Sequence, residues 1–212
     1  MYNFAKTRIP LLRFDGNSGA HCYPDFALDV NNGKCKELNR NAPIYYDFKE
    51  CGDSAKLVWW IWYGWQGPCM LNAGSHDNDW EHITVNFKKN SNSGLWEQDS
   101  VTWYQHSGFY TRDVQDTHPN IYIGKIGHGS YDNSCNGLFW SASYCQGGCS
   151  FRNDNIQHVS TVTGEVAKRI TGEKYFNNAD LNKCKGSNFK CPLGTCGCWR
   201  NNHVFNAPLC DK

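Results

Sequence analysis

The chain has 212 residues, twelve of them cysteine, with 19% charged and 15% aromatic side chains and a formal net charge of +1. That length supports one substantial domain with its own core. The near-zero charge, with no Lys/Arg cluster, excludes a binder of nucleic-acid phosphates, and the longest apolar run, residues 57–63, is too short to cross a bilayer as a helix.

Residues 8–15, Arg-Ile-Pro-Leu-Leu-Arg-Phe-Asp, read as an edge strand. Residues 16–41 are a Gly/Asn-rich loop holding Cys22 and Cys35. Strand-like runs follow at 43–48, 56–65, 80–88, 100–106, 120–127 and 137–144, separated by Gly, Asn, Asp and Pro. Many short strands at this spacing, with a heavy aromatic load, predict an all-β protein built as a single β-sandwich with long loops. Short helices are expected at 164–170 and 178–183. The last thirty residues, 183–212, lack periodicity and carry Cys184, Cys191, Cys196, Cys198 and Cys210. They read as a disulfide-rich tail packed on the same domain, so that 1–212 is one unit.

Twelve cysteines point to a disulfide framework and an oxidising compartment. The start, Met-Tyr-Asn-Phe-Ala-Lys, has no apolar leader block, which suits a mature secreted form. No Asn-X-Ser/Thr acceptor occurs. Cys191, Cys196 and Cys198 with His203 could in principle hold zinc, but they lack the paired Cys-x2-Cys knuckles of common zinc sites. Disulfides are the expectation, with pairing left open.

The chemistry concentrates in residues 74–82, Gly-Ser-His-Asp-Asn-Asp-Trp-Glu-His, placed directly before the alternating run Ile83-Thr-Val-Asn-Phe87. In a strand, residues i and i+2 share a face, so Asp79 and Glu81 lead the row Ile83, Val85 and Phe87 into the core. Two like charges about 6–7 Å apart at a core entrance need a positive partner. A divalent cation meets that need, with His76 alongside. Oxygen ligands favour magnesium or calcium, with zinc or manganese as alternatives. Two more histidines, His106 and His128, each close a strand-like run beside glycine, so three such ends could gather at one site.

These residues also resemble known families. His76-Asp-Asn-Asp-Trp-Glu81 resembles the His-Arg-His-Asp-Trp-Glu core of the necrosis- and ethylene-inducing peptide-like proteins, secreted cytolysins of plant-associated microbes. Asp79-Trp-Glu-His-Ile-Thr-Val85, Gln105-His-Ser-Gly108 and Gly127-His-Gly-Ser-Tyr131 resemble segments of the vacuolar protein sorting-associated protein 62 family. Residues 10–15 and Cys22-Tyr-Pro24 are similar to amino-terminal parts of both. The resemblance spans residues 8–132 and implies an actinoporin-like sandwich with a divalent metal in a surface cavity. Its ligands, direct or through water, would be His76, Asp79, Glu81 and His128. The chain departs from the cytolysin pattern at Ser75, at Asp77 and Asn78, and at Pro68 and Cys69, where the cytolysins carry a further acidic ligand.

Two functions are open. One is a secreted, monomeric module that binds glycans or glycolipid head groups through the metal and can damage a membrane surface, with Trp62, Trp65, Trp96 and Trp103 as candidate stacking surfaces. The other is a metal-assisted hydrolase or lyase for a polysaccharide, lipid head group or phosphodiester, with His82, His106 or His128 carrying the proton. A metal that only ties strands together is the structural counterpart of both. Thiol titration in denaturant without reductant should find almost none of the twelve cysteines reactive; several reactive thiols per chain would overturn the framework.

Overall fold

The computed structural model describes residues 2–14, 23–24, 42, 44–68, 76–105, 108–124, 126–132, 156–158 and 167–169. A short helix, α1 (Tyr2–Lys6), precedes ten strands. These are β1 (Leu11–Phe14), β2 (Ile44–Cys51), β3 (Ser54–Gln66), β4 (His76–Lys89), β5 (Trp96–Gln105), β6 (Gly108–Arg112), β7 (Asn120–Ile123), β8 (Ser130–Tyr131), β9 (Ile156–His158) and β10 (Ala167–Arg169). They form a six-stranded sheet in the order β10-β2-β3-β4-β5-β6 and a four-stranded sheet in the order β8-β7-β1-β9. Leu12, Ile121 and Ile123 of the small sheet join Leu57, Trp59, Ile83, Val85 and Val101 of the large one in a single core. The architecture is therefore the expected all-β sandwich.

The alternation in the sequence explains the large sheet. Ala55, Leu57, Trp59, Ile61 and Tyr63 of β3 face Phe87, Val85, Ile83, Glu81 and Asp79 of β4 in direct register. Ile44, Tyr46 and Phe48 extend the same face on β2, and Val101 and Trp103 extend it on β5. The stripe is closed at its Phe87 end by α1, whose Phe4 packs 5.2 Å from Phe87 and 5.4 Å from Phe48 between ring centroids. The two carboxylates stand at its other end.

Several expectations are corrected. Residues 11–14 form an interior strand, parallel to β7 and antiparallel to β9, because fully buried Leu12 needs cover from both neighbours. Residues 167–169 pair with β2 as a strand, where a helix was expected over 164–170: tertiary pairing overrides a weakly capped helical pattern. Strands β6, β8 and β9 and helix α1 were not anticipated, since short elements carry little periodicity. Trp62 and Trp103 are core residues and offer no surface to a ligand, whereas Trp65 and Trp96 are half-buried. The expected strand at 137–144, the helix at 178–183 and the tail at 183–212 lie outside the described residues. Cys51, at the end of β2, is disulfide-bonded.

Leu57 sits at the centre of the stripe with no exposed surface. Leu57→Ala should cost about 2–5 kcal/mol in denaturant unfolding; a loss below 1 kcal/mol, by the same principle, would mean the core is centred elsewhere.

Candidate functional site

Strand β4 delivers Asp79 and Glu81 to the core side, as parity predicts, and both are buried. A separate element supplies the imidazole. The hairpin between β7 and β8 is closed by the Gly124 N–H donating to the Gly129 carbonyl at 3.0 Å, and within it His128 takes a φ of 49°. Left-handed backbone is uncommon for a residue with a side chain and marks a position that its surroundings over-determine. The turn directs the imidazole inwards, where it is fully buried and Nδ1 lies 2.7 Å from Asp79 Oδ2.

The hairpin is fastened at both ends. The Trp103 indole N–H donates to the Asn120 carbonyl at 3.2 Å where β7 begins. Beyond β8, the Asp132 N–H donates to the Tyr110 hydroxyl oxygen at 2.7 Å, the Tyr110 hydroxyl lies 3.0 Å from Asp132 Oδ1, and Arg112 pairs with the same carboxylate. His128 is thus held in place by the sandwich and not by its own loop.

Tyr63 completes the cluster. It stands opposite Asp79 in the β3–β4 register, and its ring stacks on His128 with centroids 4.0 Å apart and planes 6° from parallel. The Tyr63 hydroxyl and His128 Nε2 are buried, with no hydrogen-bond partner among the described residues.

The electrostatics follow from burial. At about 6.5 Å and an effective dielectric near 20, two carboxylates repel by about 2–3 kcal/mol. Burial, and then the charge of Asp79, hold the Glu81 carboxyl well above its ordinary range. Burial, and then Glu81 and Asp79, push the Tyr63 phenol well up, so it remains a neutral O–H. With Glu81 held towards its protonated form, a cation beside the pair would favour the ionised form instead. The residues that could offer donors to a divalent ion are Asp79 and Glu81, through their carboxyl oxygens, and His128, whose Nδ1 is engaged by Asp79. Asp79, Glu81 and His128 do not enclose an ion by themselves, since among the described residues no three His, Cys, Asp or Glu side chains are grouped to hold one.

The remaining candidates fall elsewhere. His76 is the first residue of β4, paired with Gln66, and its side chain lies outside the described residues, as does His106. His82 points to the opposite face of the sheet. There it stacks between Trp60 and Tyr104, at centroid distances of 4.4 and 4.0 Å, and Tyr104 continues the row to exposed Phe109. The structure therefore brings Asp79 and His128 into contact, with Glu81 next on the same face of β4, and keeps His82 apart. Tyr63 was missed because its partner strand enters through a loop whose length hides the register. The one signal was its place at the end of the alternating row of β3.

No family model matches the chain, and no curated protein matches it in sequence. Solved structures do. The protein described as "Toxin fold as basis for microbial attack and plant defense" superimposes with a TM-score of 0.52, 12% identity and coverage of 95% of this chain and 88% of its own. The fold is shared. "NLPPya in complex with glucosamine" matches with a TM-score of 0.50, 11% identity and coverage of 95% and 88%. The non-toxic HaNLP3 protein gives a TM-score of 0.42 at 17% identity over 56% of this chain, which spans only 61% of that protein. The structural neighbours are thus toxin-fold proteins of the necrosis- and ethylene-inducing kind. The resemblance to the vacuolar protein sorting-associated family stays a matter of sequence.

Stacking buries both ring faces of His82, and that burial lowers its pKa from 6.5 to about 3. Below about pH 6.5 the unfolded chain takes up a proton there that the folded chain refuses. Its effect is therefore absent above pH 6.5 and destabilises progressively as pH falls towards 3. His82→Phe keeps an aromatic ring in the stack and removes that proton. The variant's thermal midpoint, measured against the parent, should gain steadily as pH falls from 6.5 to 4; a constant difference would show that His82 titrates normally.

Proposed function

We propose that this chain is a secreted glycan-binding protein of the cytolysin-like type. It would engage sugar hydroxyls or a glycolipid head group at the Asp79, Glu81 and His128 cluster and damage membranes that carry the ligand. The observation that carries this reading is the buried acidic pair on β4, with a hydrogen-bonded histidine whose Nε2 has no partner among the described residues. Such an arrangement costs folding free energy, so it is better explained by a bound ligand than by stability. Support for a sugar comes from a neighbour on the same fold that was crystallised with glucosamine. No helix among the described residues is long and apolar enough to cross a membrane, and a secreted form fits the cysteine content.

Within this reading, Asp79 and Glu81 provide the oxygen ligands for a divalent cation, His128 contributes through Nε2 directly or through water, and His76 is the candidate further ligand. The cation would supply a Lewis-acidic contact to paired sugar hydroxyls. Asp79 has a double duty, since its Oδ2 also fixes the plane of the His128 imidazole.

One observation favours a second reading. A carboxylate 2.7 Å from Nδ1 of a histidine whose other nitrogen is unpartnered is also the geometry of an oriented general base. That reading makes the protein a hydrolase or lyase for a glycan, lipid head group or phosphodiester, with His128 as the proton carrier. Glycolipid incubated with the protein would then yield cleaved product.

Asp79→Asn keeps the shape and an acceptor for His128 but removes the charge a hard cation needs. Magnesium binding by calorimetry and leakage of glycolipid-containing vesicles should be lost together. Relief of repulsion with Glu81 should keep thermal unfolding within a few degrees of the parent, the span of about 1 kcal/mol. Retention of magnesium affinity would remove Asp79 from the ligand set. Collapse of the fold would assign the cluster to structure.

A further inference from the structure

The reading above leaves Tyr63 unused, and its placement asks for a role. A buried hydroxyl without a partner costs about 1–3 kcal/mol, and native cores rarely retain one without reason. Tyr63 is fully buried, faces Asp79 across the β3–β4 ladder and lies flat against His128. The carboxylates accept hydrogen bonds, and a neutral phenol donates one. The Tyr63 hydroxyl is a neutral O–H donor next to the Asp79 carboxylate and the His128 imidazole.

We propose that Tyr63 is a ligand-contacting residue of this site, its hydroxyl donating to an oxygen of the sugar or water held among Asp79, Glu81 and His128, while its ring keeps the His128 imidazole in plane. The inference rests on the glycan-binding reading and deepens it: the ligand must present an acceptor oxygen to a buried donor, as a hydroxyl or ring ether of a sugar does. Ring and hydroxyl have separate tasks. The parallel stack at 4.0 Å leaves the imidazole one orientation while Asp79 holds Nδ1, and this directs Nε2. The hydroxyl waits for the occupant.

Two substitutions separate these tasks. Tyr63→Phe keeps the ring and deletes the hydroxyl. If the hydroxyl has no partner in the free protein, its loss should leave the thermal midpoint unchanged or a little higher, because an unsatisfied buried polar group is removed. Glucosamine binding, followed by protein NMR titration with magnesium present, should weaken by about tenfold, the effect of one hydrogen bond. Tyr63→Leu removes the stack as well, and the His128 imidazole resonances should broaden or shift there while staying in place in Tyr63→Phe.

A Tyr63→Phe protein that binds glucosamine as the parent does, or that loses several degrees of thermal stability with unchanged binding, overturns the ligand role and assigns the hydroxyl to the fold. Unaltered His128 resonances in Tyr63→Leu overturn the role of the ring. Asp79→Asn run in parallel distinguishes the two levels. Lost binding in Asp79→Asn with intact binding in Tyr63→Phe sinks the Tyr63 inference alone. Intact binding in Asp79→Asn, or no binding of magnesium or glucosamine by the parent, sinks the glycan-binding reading and the Tyr63 role with it.

Discussion

Two carboxylates at the entrance of an apolar stripe constrain the rest of this molecule. Asp79 and Glu81 share a face with Ile83, Val85 and Phe87, so the pleat that buries the core also buries the charges. Left alone they would repel in a poorly solvated place and push the strand end out towards water. The sandwich prevents this by packing the β7–β8 hairpin over them. Its His128 bonds Asp79, and Tyr63 and Asp132 hold that hairpin from either side. The rigid part of the fold carries the cost of burying both carboxyl groups.

The sheet separates two kinds of histidine on a single strand. His82 lies one residue from Glu81, yet its ring is spent on packing between Trp60 and Tyr104, and that packing lowers its pKa. His128 comes from a hairpin in the other sheet and keeps a nitrogen with no partner among the described residues. Proximity in sequence is a poor guide here. The period of two in a strand sends neighbours to opposite sides, so a residue forty-nine positions away supplies the partner that His82 cannot.

The match to toxin-fold structures at 11–12% identity illustrates how little sequence a sandwich needs to retain. Alternation, turn residues and a filled core suffice for the architecture, and many side-chain sets satisfy them. Function is not carried by that likeness. It has to come from the cluster itself, from its charge, its orphaned polar atoms and the geometry that holds them.

Much of this was legible in the residues. The all-β class, the four longest strands of the large sheet and the inward aim of Asp79 and Glu81 follow from a period of two, which is a local property of the chain. The His128 segment stood out by its strand-end position beside glycine. Other features were not legible, because they depend on which strands lie side by side. The interior place of residues 11–14, the strand at 167–169, and the pairing of Asp79 with both Tyr63 and His128 arise from non-local register and from packing one sheet on the other. The sequence by itself determined which face of each strand is buried, since backbone pleating alone dictates that. Only the tertiary structure decided which buried groups meet, because that depends on closing long loops whose length bears no relation to the distance they span.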